Sequence, residues 1–96
     1  MLQHVTVTSN GPVSLKPLIE TAIRSQLKSL QHGIKRTMER LAAFEQRFGT
    51  SSEEFERRFK AGEVIETIDT IDWCMEIEAL RLLEEQYSSL SEAQLD

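Results

Sequence analysis

The 96-residue chain is poor in most of the residue types that build active sites. It has one cysteine, so no internal disulfide can form, and that usage fits a reducing cytoplasm. Its two histidines, His4 and His32, fall in different segments, with no second cysteine or acid at ligand spacing. A zinc site needs about four such ligands. Its four glycines form neither GxxxxGK[ST] nor GxGxxG, so no phosphate-cradling loop is expected. Aromatic residues make up 6%, which suits an aliphatic helical core better than a β-sandwich. No apolar run approaches the roughly 20 residues of a membrane helix. The opening MLQHVTVTS lacks a basic start followed by an apolar stretch, so no signal peptide is expected. Ninety-six residues bound the chain to a single domain.

What the chain does have is charge, unevenly placed. Residues 1–48 carry seven Lys/Arg and three acids, a balance of +4, while residues 49–96 carry four and thirteen, a balance of −9. From Glu63 to Asp96 ten acids face the single base Arg81. The two halves can pair within the fold, or present different faces to two partners.

The segment from Leu2 to Thr8 alternates β-branched residues, which reads as one strand or arm, closed by Ser9 to Pro12. No second strand follows, and a lone strand cannot satisfy its own backbone groups, so a second chain is the expected partner. Ser14 can cap a helix, with Pro17 tolerated in its first turn. Apolar residues then recur from Leu15 through Leu30 and Leu41 to Phe48 in steps of three and four, one stripe of a long helix over 14–48. Gly49 is placed to end it. Ser51 and Glu54 read as a capping box for a short helix over 51–61, with Phe55 and Phe59 on its inner face and Gly62 at its end.

A third helix is expected over 67–90, with a polar, frayed tail over 91–96. It has two apolar stripes. Ile68, Ile71, Met75, Ala79, Leu82 and Leu83 form one; Trp73, Ile77, Leu80 and Tyr87 form the other. That is more apolar surface than one neighbouring helix covers. The fold class is therefore mainly α: a long αα-hairpin with a short helical knuckle and one N-terminal β-strand, completed as a dimeric four-helix bundle.

The segment FEQRFGTSSEEFERRF repeats Phe-Glu-x-Arg-Phe and reads as a structural corner. Phe44 and Phe48 close the first helix, Phe55 and Phe59 face them, and Gly49, Ser51, Glu54 and Gly62 turn the chain. All four phenylalanines of the protein belong to this corner and are expected to pack together.

No reaction is readable. Cys74 lacks a histidine partner and reads as a packing residue. Asp69, Asp72 and Glu76 share a helix face, but acids near a helix start meet its dipole favourably without any metal. Arg24 and His32, a pair type of some small helical ribonucleases, lie about 80° apart around a helix of 3.6 residues per turn. No catalytic residue, cofactor or metal is expected. The basic residues of the first helix scatter around it without aromatics between them, and the pI near 5.0 argues against a nucleic-acid partner other than operator DNA.

The run from Phe44 to Glu63, followed by Asp69 and Asp72-Trp73, resembles a group of short bacterial and archaeal proteins. Their pattern is F-E-x-[KR]-[FY]-G-x-[ST]-[ST]-E-E-F-x-x-[KR]-[FY]-x-x-G-E, then an acid and Trp. The resemblance covers about residues 40–75 and is looser elsewhere. Several of these proteins are regarded as antitoxins of type II toxin–antitoxin modules. The resemblance implies a non-enzymatic, prokaryotic and cytoplasmic homodimer that neutralises a small basic toxin. A ribonuclease is a typical partner of that charge, since its groove is built to hold phosphate. The acidic third helix is the expected contact, through Asp72, Glu76, Glu84 and Glu85. Trp73 serves as an apolar anchor if exposed, and as a core residue otherwise. The alternatives are a structural or adaptor homodimer without a toxin, and an operon-binding regulator.

Overall fold

The computed structural model describes residues 4–5 and 15–95. In chain order these form β1 (His4–Val5), α1 (Leu15–Phe48), α2 (Ser52–Lys60), α3 (Ile68–Ser91) and β2 (Gln94–Leu95). The protein is mainly α. The expected helix cap Ser14 and the rest of the strand expected over 2–8 lie outside the described residues. β1 and β2 form a two-residue parallel ladder, His4 opposite Gln94 and Val5 opposite Leu95. In the single chain this ladder joins a residue pair before α1 to one after α3. The segment expected to be a frayed tail supplies the partner strand.

α1 is 34 residues long, about 51 Å at 1.5 Å per residue, and α3 is 24 residues long, about 36 Å. Three side-chain bridges fix their relation. Arg47 meets Asp69 at 2.6 Å, Arg40 meets Glu76 at 3.2 Å, and the Gln31 amide donates to the Tyr87 hydroxyl at 2.9 Å. As the α1 number falls the α3 number rises, so the helices run antiparallel. Gly33 lies where α3 comes close: a Cβ there would stand 3.4 Å from both Leu83 methyls.

Both helix exits at the corner use glycine in the left-handed region. Gly49 has φ 69° and its N–H donates to the Glu45 carbonyl at 2.8 Å, which ends α1. Gly62 has φ 75°; its N–H bonds the Phe59 carbonyl at 3.1 Å and the next N–H, of Glu63, bonds the Arg58 carbonyl at 2.9 Å. That pair of bonds is a Schellman stop. α2 is capped by Ser51, whose Oγ accepts from the Glu54 N–H at 3.1 Å.

The expected reciprocal bond from Glu54 does not form. Arg57 and Arg58, three and four residues on, draw its carboxylate along the helix, with bonds of 3.0 and 2.9 Å. The next N–H, of Ser52 in the first turn, donates to Glu45 Oε2 at 2.7 Å, from the end of α1. α3 is capped by Thr67 and Thr70, each side chain accepting from the other's backbone N–H.

The core gathers at this corner. Leu41, Phe55, Trp73 and Ile77 are buried together, with Phe44, Phe59, Val64, Cys74 and Leu80 packed around them. Trp73 is the hub. Its ring lies parallel to Phe55 at 3.9 Å between centroids, and Phe44 and Phe48 each stack on it at 5.4 Å. Phe59 joins through Phe55 at 5.7 Å. Such pairs add about 0.5–1.5 kcal/mol each beyond burial. The four phenylalanines thus meet chiefly through the tryptophan. Away from the corner, only Leu30 and Thr37 are buried among the described residues.

Candidate interaction surface

α3 splits its two apolar stripes between inside and outside. Trp73 and Ile77 are buried and Leu80 and Tyr87 are half-buried, so this stripe lies against α1. The other stripe divides: Ala79 and Leu83 are half-buried, Leu83 beside Gly33 of α1, while the rest stands in solvent. Ile68 is 81% exposed, Ile71 43%, Met75 64% and Leu82 56%. Their spacing of three, four and seven puts them along one side of the helix. Ile65, just before α3, is also 81% exposed. Single exposed apolar side chains are ordinary, whereas a row of this length on one helix face is a feature of surfaces that bind.

The acids of α3 fall into two groups. Asp69, Glu76 and Glu78 are held by arginines, namely Arg47, Arg40 and Arg81. Asp72, Glu84 and Glu85 are exposed, and among the described residues they make no ion pair. Asp72 sits four residues after Ile68 and three before Met75, and Glu85 three after Leu82, so both flank the apolar row. Glu84 lies on the other side of the α1–α3 pair, where Met38, Glu53 and Arg81 border the same groove.

These positions divide the expected contact residues. Trp73 is 1% exposed and its Nε1–H donates to Ser52 Oγ at 2.9 Å, so it is a core residue and no anchor for a partner. Glu76 is half-buried and engaged by Arg40 in its own chain. Asp72, Glu84 and Glu85 remain as surface groups, but divided between two sides. The apolar row was readable as part of a second stripe; that α1 covers Leu83 of that stripe and leaves Ile68, Ile71, Met75 and Leu82 open depends on the hairpin's rotation, which spacing alone does not set.

At the knuckle, ion pairs fasten α2. Glu56 accepts from Arg81 across the α2–α3 contact at 2.6 Å, and Lys60 approaches it at 3.6 Å. The Arg81 hydrogen bond lowers the Glu56 pKa and raises that of Arg81. Hydrogen bonds from Arg57 and Arg58 hold the Glu54 carboxyl down at about 2. Burial, helped by nearby Glu56 and Glu78, pushes the Cys74 thiol up, which leaves little thiolate near neutral pH. Among the described residues no three His, Cys, Asp or Glu come together as a metal site, and no helix is long and apolar enough to cross a membrane.

Comparison with family models, curated proteins and solved structures finds no match to this chain.

Proposed function

We propose that the protein is a non-enzymatic binding protein of antitoxin type, a homodimer of helical hairpins that docks and neutralises a basic protein through α3. The supporting observation is the division of the acids on that helix. Three are neutralised by arginines of the same chain, while Asp72, Glu84 and Glu85 stand exposed without a cation among the described residues. Exposed unpaired carboxylates add little to the stability of the hairpin. They do raise the rate at which a cationic partner arrives and select against anionic ones. The resemblance of residues 40–75 to antitoxins points to the same partner chemistry, a small basic toxin.

The test is co-expression with the product of the adjacent gene. Co-purification and relief of toxicity support the reading, and reversal of Glu84 to lysine, on the side of α3 away from the apolar row, weakens both. Failure of the wild-type chain to co-purify or to relieve toxicity overturns it. The uncovered row of Ile68, Ile71, Met75 and Leu82 supports a second reading, a structural homodimer without a toxin; that reading requires the same dimer and no basic partner.

A further inference from the structure

We infer that the exposed row of α3 is the seam between two copies of this chain, and that its occupant is α1 of the second copy. The inference rests on the homodimeric reading above and assigns which face each partner takes.

The hairpin is one layer of two helices with a knuckle at one end. Helical domains bury their apolar faces between two layers. The missing layer belongs over Ile68, Ile71, Met75 and Leu82, which point away from α1 and stand 43–81% exposed. A row running from Ile68 to Leu82, fifteen residues and about 21 Å of helix, calls for another long helix.

Charge selects which helix. α3 holds six acids and one base between residues 68 and 91, a balance of −5, with Asp72 and Glu85 beside the row. α1 holds seven bases and three acids between 15 and 48, a balance of +4. Two α3 helices laid against each other would bring like charges together, whereas α3 on α1 brings opposite ones. The side of α1 next to the row also suits it. There the exposed Ala22, Ser25 and Ser29 are small enough to admit Met75 and Leu82, and Arg36, which has no ion pair among the described residues, can meet an acid at the rim. One face of the hairpin therefore carries both the row and its complement, as a two-fold interface requires. Each chain contributes both halves, and the product is a four-helix bundle. Glu84, on the opposite side with Glu53 and Met38, stays open to a basic partner.

The experiment is sedimentation equilibrium of the full chain at micromolar concentration. The wild type is expected at twice the 11.0 kDa of one chain. The double variant Met75→Glu with Leu82→Glu is expected at the mass of one chain, its dissociation constant raised roughly 100-fold or more. Both side chains are exposed in the single hairpin, so far-ultraviolet circular dichroism of the variant should keep its helical signal. Met38→Glu, on the opposite groove beside Gln31 and Tyr87, is expected to remain a dimer. A monomeric wild type overturns the bundle. A Met75→Glu/Leu82→Glu variant that stays dimeric, or a Met38→Glu variant that dissociates, overturns the seam. Capture of the basic partner is scored separately by co-purification, so loss of the seam and loss of partner binding are distinguishable.

Discussion

The two ends of the hairpin are built differently. At the corner, three helices converge on Trp73, and four of the six buried residues among those described, Leu41, Phe55, Trp73 and Ile77, form one cluster. Along the shaft two helices lie side by side, with Leu30 and Thr37 as the buried residues and Leu83 resting on Gly33. The corner also concentrates cross-element polar bonds: Glu45 to Ser52, Ser52 to Trp73, Glu56 to Arg81 and Arg47 to Asp69. The shaft has Arg40 to Glu76 and Gln31 to Tyr87. A helix pair alone cannot enclose a core, because each helix leaves half its circumference uncovered. The third helix, short as it is, closes that gap at one end. The corner thus holds a closed aromatic core, while along the shaft the faces of α1 and α3 turned away from each other stay open.

The largest test of that contrast is Trp73→Ala. Removing the hub of the aromatic stack should cost about 3–5 kcal/mol, read as a lower midpoint of urea unfolding at fixed protein concentration. Leu30→Ala, the corresponding truncation in the shaft, should cost less, near the low end of about 2–5 kcal/mol, because its surroundings are open enough to relax. Equal costs would break the comparison. A smaller test probes the polar side of the corner. Ser52→Ala removes the oxygen that accepts the Trp73 Nε1–H and leaves that donor buried, at about 1–3 kcal/mol. If the variant melts like the wild type, the Ser52 bond does not help to close the corner.

Features of the corner differ in how far they could be read in the chain, and the reason is range. The glycine stops at Gly49 and Gly62 and the Ser51 cap follow from a few neighbouring residues, because a left-handed φ and a bare amide are local needs. The diversion of Glu54 to Arg57 and Arg58 was also local, and the i+3 and i+4 spacing carries the signal. Burial of Trp73 follows from its step to Ile77 and Leu80 once α1 is known to take that stripe. The bonds from Glu45 to Ser52 and from Trp73 to Ser52 span seven and twenty-one residues. They depend on the angle at which three helices meet, and no spacing within one helix encodes that angle. The acidic contact set mixed residues from two sides of α3 for a related reason. Charge counts along a chain ignore rotation, and Asp72 and Glu84 are turned to opposite sides of the helix pair.

The smallest effect is expected in the shaft, and it carries the opposite sign. Gly33 sits within α1, among the helical residues and without a positive φ, so nothing in its backbone calls for glycine. A methyl group there would reach ordinary contact with the Leu83 methyls at 3.4 Å, and a leucine side chain can shift slightly to receive it. Gly33→Ala removes the conformational freedom that glycine gives the unfolded chain, a gain of about 0.5–1 kcal/mol. For a chain of this size that raises the thermal midpoint by roughly 2–8 °C. A truncation that destabilises the corner and an added methyl that stabilises the shaft would together show that the shaft has room the corner lacks. A loss of stability in Gly33→Ala would mean instead that α1 and α3 are as tightly fitted at Leu83 as the aromatic residues are at Trp73, and the contrast between the two ends would fail.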